Sequence, residues 1–225
     1  MSIDTLVNDR DAWTIALVGA PGVGKTRFIS RVGFVCVRFT LLDASTSLCW
    51  MTLKFLFLEL DGLTSKQGFS KRFAVDNQDT LVTLVDVYQN RQGTSEDDVD
   101  SLLRDADAFI LMYSSTSPYS LQDVVAYTRR VRRATASYAH DPVLSLVANQ
   151  RDRPAQDKEV SRLEGEALAR ELDCPYTETS AKTGDGVHGV VEDLVRALRA
   201  RQEQYARKQE NSKIGRAVRS FLGRR

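Results

Sequence analysis

Short apolar runs of strand length alternate along most of this chain with longer stretches whose apolar residues recur at helical spacing. Trp13–Val18, Lys71–Asp76, Thr80–Asp86, Ala108–Ser114, Val143–Asn149 and the short Tyr176–Thr179 are predicted strands, each bounded by polar or turn-forming residues. Asp76-Asn77-Gln78-Asp79 is the expected tip of a hairpin joining the second and third of them. Leu121, Val124, Val125, Thr128 and Val131 fall on one helical face after the capping stretch Ser117–Ser120. A helix is also predicted within Glu159–Asp173. Another starts near Gly186, with Val187, Val190, Val191, Leu194 and Leu198 on one side. Such alternation predicts an α/β fold, a mostly parallel sheet flanked by helices on both faces.

Composition narrows the picture. The chain has 225 residues, 42% of them hydrophobic, enough for one sizeable domain. Its formal net charge of +1 gives no overall nucleic-acid signature. Cys36, Cys49 and Cys174 have neither paired nor metal-ligand spacing, which suits an intracellular, reducing setting. No cleaved leader is expected, because the first eleven residues lack a basic stretch followed by an apolar one. Val32–Leu60 is strongly apolar, but Arg38, Asp43, Lys54 and Glu59 interrupt it before the roughly 18 uninterrupted residues a membrane span needs.

The first chemistry-bearing motif is Gly-Ala-Pro-Gly-Val-Gly-Lys-Thr, residues 19–26, between the first predicted strand and a helical stretch. In a G-x-x-x-x-G-K-S/T loop the backbone amides face inward and cradle phosphate oxygens, helped by the positive end of the following helix. Lys25 would neutralise the terminal phosphates and the Thr26 hydroxyl would ligate Mg²⁺. Asp86 closes the third predicted strand, where a carboxylate beside a phosphate loop anchors the same ion. Asn149-Gln150-Arg151-Asp152 follows the fifth strand and Glu178-Thr179-Ser180-Ala181-Lys182-Thr183-Gly184 the sixth.

In this order the motifs resemble those of the Ras-like small GTPases, over roughly residues 12–200. The resemblance implies a single P-loop GTPase domain with a six-stranded, mostly parallel sheet, and a GTP/GDP switch that hydrolyses GTP with Mg²⁺ as cofactor. It places Gly19, Ala20, Pro21, Gly22, Val23, Gly24, Lys25 and Thr26 on the phosphates. It assigns guanine recognition to Asn149, Gln150, Asp152, Ser180, Ala181 and Lys182. A carboxylate at Asp152 would accept two N–H groups that guanine offers and adenine lacks, and would be left unpaired by the wrong base. Exchange, activating and effector proteins are the implied partners, in intracellular signalling.

Four departures from the family pattern matter. Asp86-Val87-Tyr88-Gln89 replaces D-x-x-G, so Gln89 stands where a glycine amide would sense the γ-phosphate. Asn90 follows in place of the water-orienting glutamine and is one methylene shorter. With Lys25 and Asn90 as the candidate catalytic residues, slow hydrolysis is expected, the alternative being a nucleotide-locked scaffold that binds GTP without efficient turnover. Pro21 occupies a position that is glycine in Ras itself, with a modest expected effect on an incoming arginine finger. Gln150 stands where the family has a lysine, which predicts weaker nucleotide affinity. Counting back from Asp86 puts the family's metal-binding threonine at Thr64, much further from Lys25 than is usual. The surplus lies within Val32–Gly62. It reads either as an insertion or as intron sequence carried into the reading frame, since it begins at a valine, whose codons start GT as splice donors do.

Three parts are therefore expected: an arm over 1–11, the GTPase domain over 12–208 with the atypical segment 32–62, and a basic tail over 209–225. In the tail Ile214, Ala217, Val218, Phe221 and Leu222 share one helical face, while Lys213, Arg216, Arg219, Arg224 and Arg225 come without any acidic residue after Glu210. That pattern suits an anionic membrane surface or calmodulin, and nucleic acid is not expected as a partner. No cysteine follows Cys174, so prenylation is not expected. A cytoplasmic protein, peripheral on the inner face of the plasma membrane, is the resulting expectation. Arg129, Arg130, Arg132 and Arg133 are expected to form a solvated helix face.

Overall fold

The computed structural model describes residues 11–40, 69–87, 95–138 and 141–222, with the backbone alone for 34–40 and 211–222. In chain order it runs β1 (Ala12–Val18), α1 (Lys25–Thr40), β2 (Phe69–Val75), β3 (Gln78–Asp86), α2 (Glu96–Arg104) and β4 (Ala108–Ser114). Then follow α3 (Pro118–Ala134), β5 (Val143–Asn149), a short 3₁₀ turn (Ala155–Asp157), α4 (Arg162–Leu172), β6 (Tyr176–Glu178) and α5 (Val187–Leu222).

The strands form one six-stranded sheet in the order β2-β3-β1-β4-β5-β6, in which β2 alone runs antiparallel, paired with β3. Side-chain alternation divides the core into two layers. Ile15, Leu17, Ile110 and Met112 face Phe28 and Val32 of α1 and Val191, Leu194 and Leu198 of α5. Ala16, Val18, Phe109 and Leu111 face Val99 and Leu103 of α2, Val124 and Val131 of α3, and Ala169 and Leu172 of α4. Every residue of β4 is buried, as a central parallel strand covered on both faces requires. The connections after β1 and β3 thus leave toward opposite faces. That opens a crevice beyond the carboxyl ends of these neighbouring strands, the position where open α/β sheets bind ligands.

Several boundaries have identifiable local causes. The hairpin turn contracts from the expected four residues to two. Val75 pairs with Gln78, and Asp76 and Asn77 both adopt positive φ (52° and 61°), as a twist-matched two-residue hairpin demands. Ser117 caps α3 ahead of a proline at its first turn, and Ser161 and Glu164 form a reciprocal capping box on α4. Helix α2 had no counterpart among the expected elements. Its capping box carries Asp98 at the third position rather than Glu or Gln, and it buries only Val99 and Leu103. Val32, the first residue of the atypical segment, is a fully buried part of α1, and its carbonyl accepts a bond from Lys71 Nζ (2.8 Å). Thr64, Gln89, Asn90 and most of 32–62 lie outside the described residues. Helix α5 continues without a break across residue 208, and residues 202–210 are exposed throughout.

A cluster at the edge of β2 and β3 ties α5 to the sheet. Arg199 donates to both carboxylate oxygens of Asp11 (3.1 and 2.6 Å) and to the Val75 carbonyl (2.9 Å), and Trp13 Nε1 also donates to Asp11 (2.9 Å). The Arg199 hydrogen bond, against a smaller opposing effect of burial, holds the Asp11 carboxyl below its ordinary value. Arg199→Ala is expected to lower unfolding stability by about 2–3 kcal/mol near neutral pH, since it strands a largely buried carboxylate. Because the folded-state pKa of Asp11 is depressed, the deficit should be full at neutral pH and shrink as pH falls below about 4. Denaturant melts of both forms at pH 7 and pH 3.5 check this.

Candidate nucleotide site

The phosphate loop leaves β1 at Val18 and enters α1 at Lys25, so the helix's first amides open onto the crevice. Two of its glycines are required by geometry. A Cβ at Gly19 would collide with the carbonyl of Met112 on β4, and Gly24 has φ of 103° with the Asn149 side chain packed where a Cβ would sit. Lys25 is 5% exposed and its Nζ donates to the carbonyls of Gly19 (2.8 Å) and Ala20 (3.0 Å), which holds the ammonium inside the curl of the loop. Burial lowers its pKa, and the Asp86 charge opposes that shift.

Residues far apart in sequence converge here. Thr26 Oγ1 donates to Asp86 Oδ2 at 2.8 Å, across 60 positions of chain. Asp86 Oδ1 is buried and has no hydrogen-bond partner among the described residues. A hydroxyl and a carboxylate joined in this way, with one buried carboxylate oxygen uncompensated, are oxygen donors that suit a hard divalent cation.

The other end of the cleft is built from the loops after β5 and β6. Asn149, 2% exposed, donates from Nδ2 to the Val23 carbonyl (2.7 Å) and accepts at Oδ1 from the Ala181 amide (2.9 Å). It therefore joins the phosphate loop to the Ser180–Lys182 loop, with one of its two amide N–H groups still available. Ser180 Oγ donates to Asp152 Oδ1 (2.6 Å) and Lys182 Nζ lies 3.7 Å from Asp152 Oδ2. The Ser180 hydroxyl is the main reason the Asp152 carboxyl lies below its ordinary value, so at neutral pH it is an ionised acceptor. Gln150 has a φ of 72°, and its Oε1 accepts from Thr116 Oγ1 at 3.1 Å. Pro21 is exposed at the tip of the loop.

Together these residues line a cleft of about 500 Å³ that includes Lys25, Thr26, Asp86, Asn149, Gln150, Asp152, Ala181 and Lys182. Arg27 and Arg153 line it as well, and neither was among the residues singled out from the sequence. Arg27 directly follows a motif residue. Arg153 lies one position beyond Asp152, and a turn closed by its amide on the Gln150 carbonyl (3.0 Å) carries it back to the cleft. A second cavity of about 420 Å³, lined by Arg104, Tyr138 and Arg201 among others, lies by the opposite, amino-terminal ends of β4 and β5.

The sequence model of the Ras family matches residues 57–200. Protein ras-2 of Neurospora crassa is 31% identical over 215 residues, covering 88% of this chain and 83% of that protein. Ras-like protein 1 of Pyricularia oryzae is 30% identical over 167 residues, 67% of this chain and 68% of that one. Human GTP-binding protein REM 1 is 27% identical over 217 residues, 94% of this chain and 65% of that one. The chain belongs to the Ras family, and with it to the small GTPases that bind guanine nucleotides and work with regulator and effector proteins. The matched span starts beyond the phosphate loop, on the far side of most of the atypical segment.

Asn149→Ala removes both bonds between the loops and leaves the Val23 carbonyl and the Ala181 amide without their partner. A loss of about 2–3 kcal/mol in unfolding stability is expected, together with faster nucleotide release. Thermal melts and the dissociation of a fluorescent GDP analogue measure the two effects.

Proposed function

We propose that the protein is a guanine-nucleotide switch with slow intrinsic GTP hydrolysis, acting in signal transduction. The observation carrying the nucleotide half of this reading is the single cleft that joins Lys25 and the Thr26–Asp86 pair to Asp152 and the Ser180–Lys182 loop. Amides of Gly19–Thr26 and the Lys25 ammonium would hold the β- and γ-phosphates, and Asp152 would accept the paired N–H groups of guanine. Thr26 and Asp86 would hold Mg²⁺, with Thr64 as a further oxygen donor from sequence spacing. The unpartnered Asp86 Oδ1 supports that fit. The ion supplies positive charge beside the phosphate oxygens when bound.

Slow hydrolysis follows from residue chemistry. At Gln89 a side chain stands where a glycine amide would report the γ-phosphate. Asn90 is one methylene short of the glutamine that orients water, so the near-attack geometry is lost. The same two residues favour the second reading, a scaffold that stays nucleotide-bound and recruits partners without cycling.

The helical backbone of α5 reaches roughly 30 Å past Arg201 at 1.5 Å per residue. Its basic, periodically apolar end supports peripheral binding to the inner face of the plasma membrane or to calmodulin, at about 1 kcal/mol per basic residue near an anionic leaflet. No described helix is long and apolar enough to cross a membrane.

Single-turnover hydrolysis by the purified protein should be well below an ordinary Ras-like rate, and Asn90→Gln with Gln89→Gly should raise it. An ordinary rate in the unmodified protein would overturn the slow-switch reading. Addition of a cell extract that supplies an activating protein separates a slow switch, which accelerates, from a scaffold, which does not. Chelation of divalent ions should speed GDP release from the unmodified protein and have much less effect on Asp86→Ala, as followed by the fluorescence of a GDP analogue.

A further inference from the structure

Arg151, Arg153 and Lys182 belong to the two loops at one end of the cleft, which Arg153 and Lys182 line, and they differ in what occupies them. Arg151 is paired with Asp185 at 2.9 Å and lies 3.9 Å from Glu178. Lys182 leans on Asp152 at 3.7 Å. Arg153 lines the cleft, is exposed, and has no ion pair or side-chain hydrogen bond among the described residues. Its position is set by backbone rather than by side-chain contacts. The amide of Arg153 donates to the Gln150 carbonyl at 3.0 Å, a turn that brings the two Cα atoms within about 7 Å.

At Gln150 itself the side chain is neutral and its carbonyl oxygen is engaged by Thr116. The turn therefore delivers a guanidinium with no hydrogen-bonded partner among the described residues beside a position that carries no charge, close enough to the carboxylate proposed to read the base to act on it by charge alone. A guanidinium is planar, weakly hydrated and stacks on aromatic faces, with a preference for purines' extended π-systems over open solvent.

Resting on the guanine reading of this cleft, we propose that Arg153 is a base-binding residue whose guanidinium covers the face of the guanine ring held by Asp152, in place of a cation at position 150. The charge comes from three residues downstream because Gln150 is held by Thr116 and the Gln150–Arg153 turn folds the loop back on itself.

The test is release of a fluorescent GDP analogue from the full-length protein. Arg153→Ala should accelerate release about tenfold, Arg153→Lys by less because it keeps the charge but not the plane, and Gln150→Lys in the Arg153→Ala background should restore slow release. Arg153→Ala within twofold of the unmodified protein, or a Gln150→Lys change that fails to restore, would overturn the assignment. Competition by GDP and ADP in the unmodified protein is run first. Equal competition removes the guanine reading and this proposal with it, whereas preference for GDP with a silent Arg153→Ala removes this proposal alone.

Discussion

The amide side chain of Asn149 is the contact on which the cleft depends, because it is bonded at once to the Gly19–Thr26 loop and to the Ser180–Lys182 loop. Neither loop has regular structure of its own to fix it. Each needs its backbone groups satisfied away from water, and a nearly buried amide with a donor and an acceptor satisfies one of each. Gly24 is the complement of this arrangement. Its positive φ turns the phosphate loop, and its missing Cβ leaves the room that the amide fills. Ser180 and Asp152 extend the brace, so that the Asp152 carboxylate is positioned by a hydroxyl that also receives the Thr183 amide.

Beneath the site, the two-layer core makes the crevice possible. Burial on both faces of β4 and β1 forces the connecting helices onto alternate sides, and the switch in side falls where Val18 and Asp86 end their strands. Helix α5 covers one face and is clamped at the far edge by Arg199, which bonds the start of β1 and the hairpin together. The polar residues of the cleft stand on loops, on the last residues of β3 and β5 and on the first turn of α1, while the strands and helices that aim them are apolar and closely packed.

Much of this is legible in the sequence. Strand-length apolar runs and the 3.6-residue periodicity located all six strands and three of the helices, because both signals are local and repeat along the chain. The order Gly19–Thr26, Asp86, Asn149–Asp152 and Ser180–Lys182 places these segments together at one cleft, since each follows or ends a strand and parallel strands end on the same side. Helix α2 was missed because it is short and buries only two residues, which is too little for a periodic signal. The hairpin tip is two residues shorter than its sequence predicts, because turn length depends on cross-strand register, and register is a property of two segments rather than one.

What the sequence determined by itself was the class of fold, and the presence and order of the motifs Gly19–Thr26, Asp86, Asn149–Asp152 and Ser180–Lys182. Those follow from residue type, spacing and order, which need no third dimension. Only the tertiary structure decided that Asn149 bridges two loops, that Thr26 and Asp86 meet across sixty residues, and that Gln150 is held by Thr116 while Arg153 faces the cleft. These are contacts between segments distant in sequence or around a turn. They are settled by how strands stack and loops close, and a linear pattern of apolar and polar residues does not encode them separately.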